Sequence, residues 1–95
     1  MFAVILTYKK PLEFVEQHTE EHRAFLDLGY KNNYFIVSGP KKPRTGGIIL
    51  SQLEDRNQLE SIIKKDPFYI HGIADYEFTD FDPTKYHVNF ASFIK

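Results

Sequence analysis

Phe2-Ala3-Val4-Ile5-Leu6-Thr7-Tyr8 is the stretch on which the fold turns. It is short, almost wholly apolar and rich in β-branched and aromatic residues, so it reads as a strand with no polar face to offer water. Such a strand belongs in the middle of a sheet whose two sides are both covered. Lys9-Lys10 then turns the chain, and Pro11 suits the first turn of a helix. At about 100° per residue, Leu12, Val15, Thr19, Leu26 and Tyr30 share one sector of that helix. The helix is expected to run to about Leu28, with Gly29 as the residue just past its end.

Tyr34–Ser38 (YFIVS) reads as a second strand closed by Gly39-Pro40. A basic connection, Lys41–Thr45 with Gly46-Gly47, leads into a third strand at Ile48–Leu53. Asp55 with Gln58 makes a capping box for a second helix whose stripe is Leu59, Ile62 and Ile63, and Pro67 is expected to end it at Asp66. Ile73–Phe81 alternates with the two-residue period of a strand, placing Ala74, Tyr76 and Phe78 on one face. After Asp82-Pro83, a C-terminal extension of about residues 83–95 alternates again at His87–Ile94, which reads as a short fifth strand.

The order strand, helix, strand, strand, helix, strand is the ferredoxin-like βαββαβ plan. It is an α+β fold with two helices on one face of an antiparallel sheet. The 95 residues fit one domain and leave nothing to cover the second sheet face except another copy of the chain. A homodimer packed sheet to sheet, or a larger homo-oligomer, is the expected assembly.

Composition narrows the function. A net charge of -1 and a pI near 6.4 give no electrostatic case for nucleic acid or an anionic membrane surface. Without cysteine there is no disulfide framework, thiolate nucleophile or thiolate metal site. No apolar run approaches the roughly 20 residues of a membrane span, and the first residues lack the features of a signal peptide. A cytoplasmic protein is expected.

His22 is the conspicuous polar residue, because it lies inside the apolar sector of the first helix. Asp66 falls in the stripe of the second. Within hydrogen-bond reach they would form an oriented acid/base pair. Apart, His22 would be a core histidine satisfied by a carbonyl, and Asp66 the cap of an Asp-Pro turn. His18-Thr19-Glu20-Glu21-His22 also matches H-x-x-E-H, with two His at i and i+4 as zinc ligation requires. A zinc hydrolase of that kind needs a distant third ligand and a cleft for which this chain has little room. His18 also points about 40° away from His22, at about 100° per residue, toward the helix margin. An incidental metal site involving His18, His22 or His71 is the lesser alternative, and no metal is assigned. The basic turn Lys41-Lys42-Pro43-Arg44 could grip an anionic group, although such turns are commonly only solvated. Tyr8, Ser38, Phe68, Tyr69 and His71 could together line a small aromatic pocket over Asp66.

Glu21-His22-Arg23-Ala24-Phe25-Leu26, Ser38-Gly39-Pro40, Gly46-Gly47, and Asp66-Pro67-Phe68 with Gly72-Ile73, in this order, resemble the YciI-like (YCII-related) family over roughly residues 2–82. The resemblance implies a dimeric α+β barrel with sheets face to face and an active site centred on His22 and Asp66. Ser38 would occupy the small-residue position before Gly-Pro. One branch of the family eliminates chloride from a chlorinated hydroxyhydroquinone, and muconolactone isomerase-like enzymes share the fold. The expectation is therefore a lyase- or isomerase-type enzyme without a cofactor. It would move a proton on a small cyclic or enolisable substrate, with Ser38, Tyr8, Phe68 and His71 in contact with it. The alternative is a non-catalytic small-ligand-binding or accessory domain.

Overall fold

A computed structural model describes residues 1–94. Its elements are β1 (Phe2–Tyr8), α1 (Leu12–Lys31), β2 (Phe35–Pro40), β3 (Gly46–Ser51), α2 (Arg56–Ile63), α3 (Pro67–Ile70) and β4 (Ala74–Asp80), followed by a 3₁₀ helix at Val88–Phe93. The four strands form one antiparallel sheet in the order β2-β3-β1-β4, the ferredoxin-like arrangement, with the helices on one face.

Register explains which side chains meet the helices. Val4 lies between Ile49 of β3 and Phe78 of β4, and Leu6 lies between Gly47 and Tyr76. These inward residues join Phe2, Val15 of α1, Leu59 and Ile63 of α2, Phe68 of α3 and Ile73 in one core. The alternate row places Ala3, Ile5, Ile48, Leu50 and Val37 on the opposite face, where Val37 is 55% and Ile48 44% exposed. That face is apolar across most of β1, β2 and β3, and turns polar at Thr7 on the end of β1 and along β4 with Asp75, Glu77 and Thr79.

Several boundaries differ from the sequence-based expectation. Gly39 and Pro40, for one, do not close β2 but are its last two residues, and β3 ends at Ser51. Gly29 does not end α1; it is buried within it, and a Cβ there would lie 2.1 Å from the Phe35 ring. Its role is close packing, while the left-handed residue after the helix is Asn33, with φ 61°. Gly46 and Gly47 belong to β3 and not to the turn, because a Cβ on Gly46 would stand 1.8 Å from the Leu6 carbonyl oxygen of β1. The second helix stops at Ile63, and Pro67 begins a helix of its own. The tail is not a fifth strand. His87 Nδ1 accepts a hydrogen bond from Asn89 N at 3.0 Å, and Phe90 and Phe93 pack with centroids 5.3 Å apart, the i, i+3 pairing that a three-residue turn brings together. No helix among the described residues is long and apolar enough to cross a membrane.

Candidate functional site

Asp66-Pro67-Phe68 builds the floor of the site through three separate properties. Asp66 caps α3, its Oδ1 accepting from Phe68 N at 3.0 Å while its carbonyl accepts from Tyr69 N and Ile70 N. Pro67 fits the first helical position, where no N–H is needed. Phe68 is then driven into the core at 2% exposure. The capping carboxylate goes down with it: Asp66 is fully buried.

An ionised carboxylate in such a place needs donors on both oxygens. Oδ1 lies 2.7 Å from His22 Nδ1, and Oδ2 accepts from Tyr76 Oη at 2.6 Å. Burial, reinforced by the adjacent Asp66 charge and hydrogen bond, holds the Tyr76 phenol far above its ordinary range. Tyr76 is therefore a permanent donor. Because the carboxylate can only accept, the His22 proton sits on Nδ1, leaving Nε2 as the nitrogen available to the cavity that His22 lines. The imidazole plane is fixed from below by Phe68, stacked at 4.0 Å and 6°.

That cavity, about 580 Å³, lies between the inner face of α1 and the sheet. α1 contributes Thr19, His22, Leu26 and Tyr30, and the sheet contributes Leu6, Tyr8, Ser38 and Ile49, with Phe68 between them. Tyr8 meets Phe68 edge to face at 5.9 Å. Ser38 Oγ and Tyr30 Oη share a short hydrogen bond. Arg23, Asp27 and Arg44 stand at the rim. Arg44 also reaches Glu16 at 3.5 Å, an exposed pair of little energetic weight.

Of the residues singled out in the sequence, His22, Tyr8, Ser38 and Phe68 line this cavity, and Asp66 supports His22 from behind. His71 is elsewhere. It caps the C-terminus of α3 and stacks on His18, with ring centroids 4.0 Å apart. Together with Glu21 these two histidines present donor atoms within 4.8 Å of one another. The Lys41-Lys42 part of the basic turn stays outside, while Arg44 reaches the rim. Sequence reasoning missed Tyr76 and Tyr30. Each carries a hydroxyl on an inward face, where it must find a partner, and that was the available signal.

The family model for the YCII-related domain matches residues 1–82. Among solved structures, the chain is similar to 5-chloro-2-hydroxyhydroquinone dehydrochlorinase (TftG) from Burkholderia phenoliruptrix AC1100 in complex with 2,5-dihydroxybenzoquinone. The TM-score is 0.71 at 20% identity, covering 86% of this chain and 94% of that one. No curated protein matches the sequence.

Proposed function

The chain belongs to the YCII-related domain family, and from that premise we propose that it is a small-molecule enzyme using His22 and Asp66 as an acid/base pair. The observation that carries this reading is the 2.7 Å contact between His22 Nδ1 and a carboxylate with no exposure to solvent. In the proposed reaction, His22 Nε2 takes a proton from a carbon or oxygen of the substrate. The imidazolium that forms is stabilised by the Asp66 carboxyl, which Phe68 N and Tyr76 Oη hold in place by donating to its two oxygens. The electron pair left on the substrate either expels a leaving group or is reprotonated at another atom, the lyase and isomerase outcomes of one step. Hydroxyls of Ser38, Tyr30 or Tyr8 stabilise the developing enolate charge.

The substrate class is a small cyclic, enolisable molecule. The cavity volume of about 580 Å³ falls within the size range of small-ligand sites, and the similar dehydrochlorinase binds a hydroxylated quinone. We further infer that two chains pair through the apolar sheet face opposite the cavity. That gives β1 the second cover its sequence demands.

Deuterium incorporation from solvent into a panel of cyclic enolisable ketones, with 2,5-dihydroxybenzoquinone as the binding probe, tests the proposal. Wild type is expected to accelerate exchange. His22→Gln should lose roughly 10²–10⁴-fold, the usual worth of a positioned acid/base. Asp66→Asn should lose rate far more than affinity. A probe that binds the cavity while exchange is no faster with wild type than with His22→Gln would leave a ligand-binding domain instead.

A further inference from the structure

The H-x-x-E-H run of α1 is divided by the fold. His22 turns toward Asp66, while His18 and Glu21, three residues apart on one face of the helix, turn toward His71 at the end of α3. The pattern thus loses its second histidine in sequence and gains another in space. We propose that His18, Glu21 and His71 form a binding site for a divalent transition-metal ion of the zinc type, separate from the His22–Asp66 pair.

Three observations converge on it. One donor atom from each residue lies within 4.8 Å of the others. The His18 and His71 rings are stacked at 4.0 Å and 17°, so two imidazoles from different elements are already side by side. His18 Nδ1 is buried with no hydrogen-bond partner among the described residues, a poorly satisfied nitrogen within this cluster. Two imidazoles and a carboxylate suit Zn²⁺, Co²⁺ or Ni²⁺ better than Mg²⁺ or Ca²⁺, which prefer oxygen alone. Donors around a tetrahedral ion at about 2.0–2.1 Å stand roughly 3.3 Å apart. Glu21 and His71 are both exposed, so side-chain rotation can close the remaining gap as the rings splay from their stack. Three protein ligands leave the fourth position open to water or an added ligand. The bound ion would tie α1 to α3 next to the cavity wall.

Calorimetric titration of the untagged, metal-free chain with Zn²⁺, paired with the visible absorption of the Co²⁺ form, tests this. One ion per chain and the intense absorption of four-coordinate Co²⁺ are expected. His71→Ala, a change at an exposed residue, should weaken binding at least about tenfold, and Glu21→Gln should weaken it too. His22→Gln should leave affinity unchanged, which separates this site from the proposed acid/base pair. Failure of wild type to bind Zn²⁺ at neutral pH would overturn the proposal. So would affinity indifferent to His71→Ala, or binding that depends on His22.

Discussion

Asp66 is the residue with the most at stake, because a fully buried carboxylate depends on every donor that reaches it. Tyr76→Phe removes the donor to Oδ2 and leaves that oxygen unpaired. The expected cost is about 1–3 kcal/mol, read as a lower urea midpoint. The same residue carries a pH signature. Its folded phenol is held above the ordinary value of 10.0, so its contribution is whole below pH 10. As pH rises further, the unfolded chain ionises this tyrosine while the folded chain does not, and stability is lost. Unfolding midpoints measured from pH 8 to 11 should converge between wild type and Tyr76→Phe at the alkaline end; a constant difference would place no special burden on Tyr76. His22 was legible in the sequence because it interrupts the apolar stripe of α1. Asp66 was legible because it falls in the stripe expected of a second helix, which in the structure stops at Ile63. Tyr76 was not, because an aromatic residue in an alternating strand reads as core and only its hydroxyl says otherwise.

At the scale of elements, the sequence was clear where periodicity governs and misleading where a close approach does. β1 and β4 stand within a residue of their expected bounds, since alternation and apolarity fix a strand before its neighbours are known. Gly29 reads as a helix stop by residue type alone, yet its constraint is the Phe35 ring, which is close in space but lies beyond the turn. Gly29→Ala therefore sets two effects against each other. Alanine favours a helix interior by about 1 kcal/mol, while forcing a methyl group into a filled site costs about 1–3 kcal/mol. With the ideal Cβ only 2.1 Å from an aromatic carbon, the steric cost should win and the variant should unfold at lower denaturant. Phe35→Leu should recover part of the loss in the double variant, a coupling that a double-mutant cycle reads directly. Additive effects would mean that Gly29 is needed for some other reason. The division of α2 from α3 was equally hidden. Pro67 can end one helix or open the next, and Asp66 decides between them by capping forward.

For the whole molecule, the cavity and the apolar sheet face lie on opposite sides of one layer, so catalysis and assembly are separable in the proposed scheme. The helix side is occupied by α1, α2 and α3, and the polar interruptions of α1 at Thr19 and His22 face the cavity there. The other side presents Ala3, Ile5, Leu50 and Val37 as one contiguous apolar area across β1, β3 and β2. A face of that kind is characteristic of an interface. The acidic and hydroxyl residues on β4 mark where it stops. This face was readable from β1 alone, whereas the site needed two elements brought together. Ile5→Lys with Val37→Lys places two charges in that area without touching the cavity lining. Sedimentation velocity should find wild type dimeric and the double variant monomeric, with unchanged far-ultraviolet circular dichroism and with 2,5-dihydroxybenzoquinone binding retained if wild type binds it. A wild-type chain that sediments as a monomer at all concentrations would refute pairing. A dimer indifferent to both lysines would move the interface elsewhere, because two buried like charges on each copy cannot be accommodated at a close-packed apolar contact.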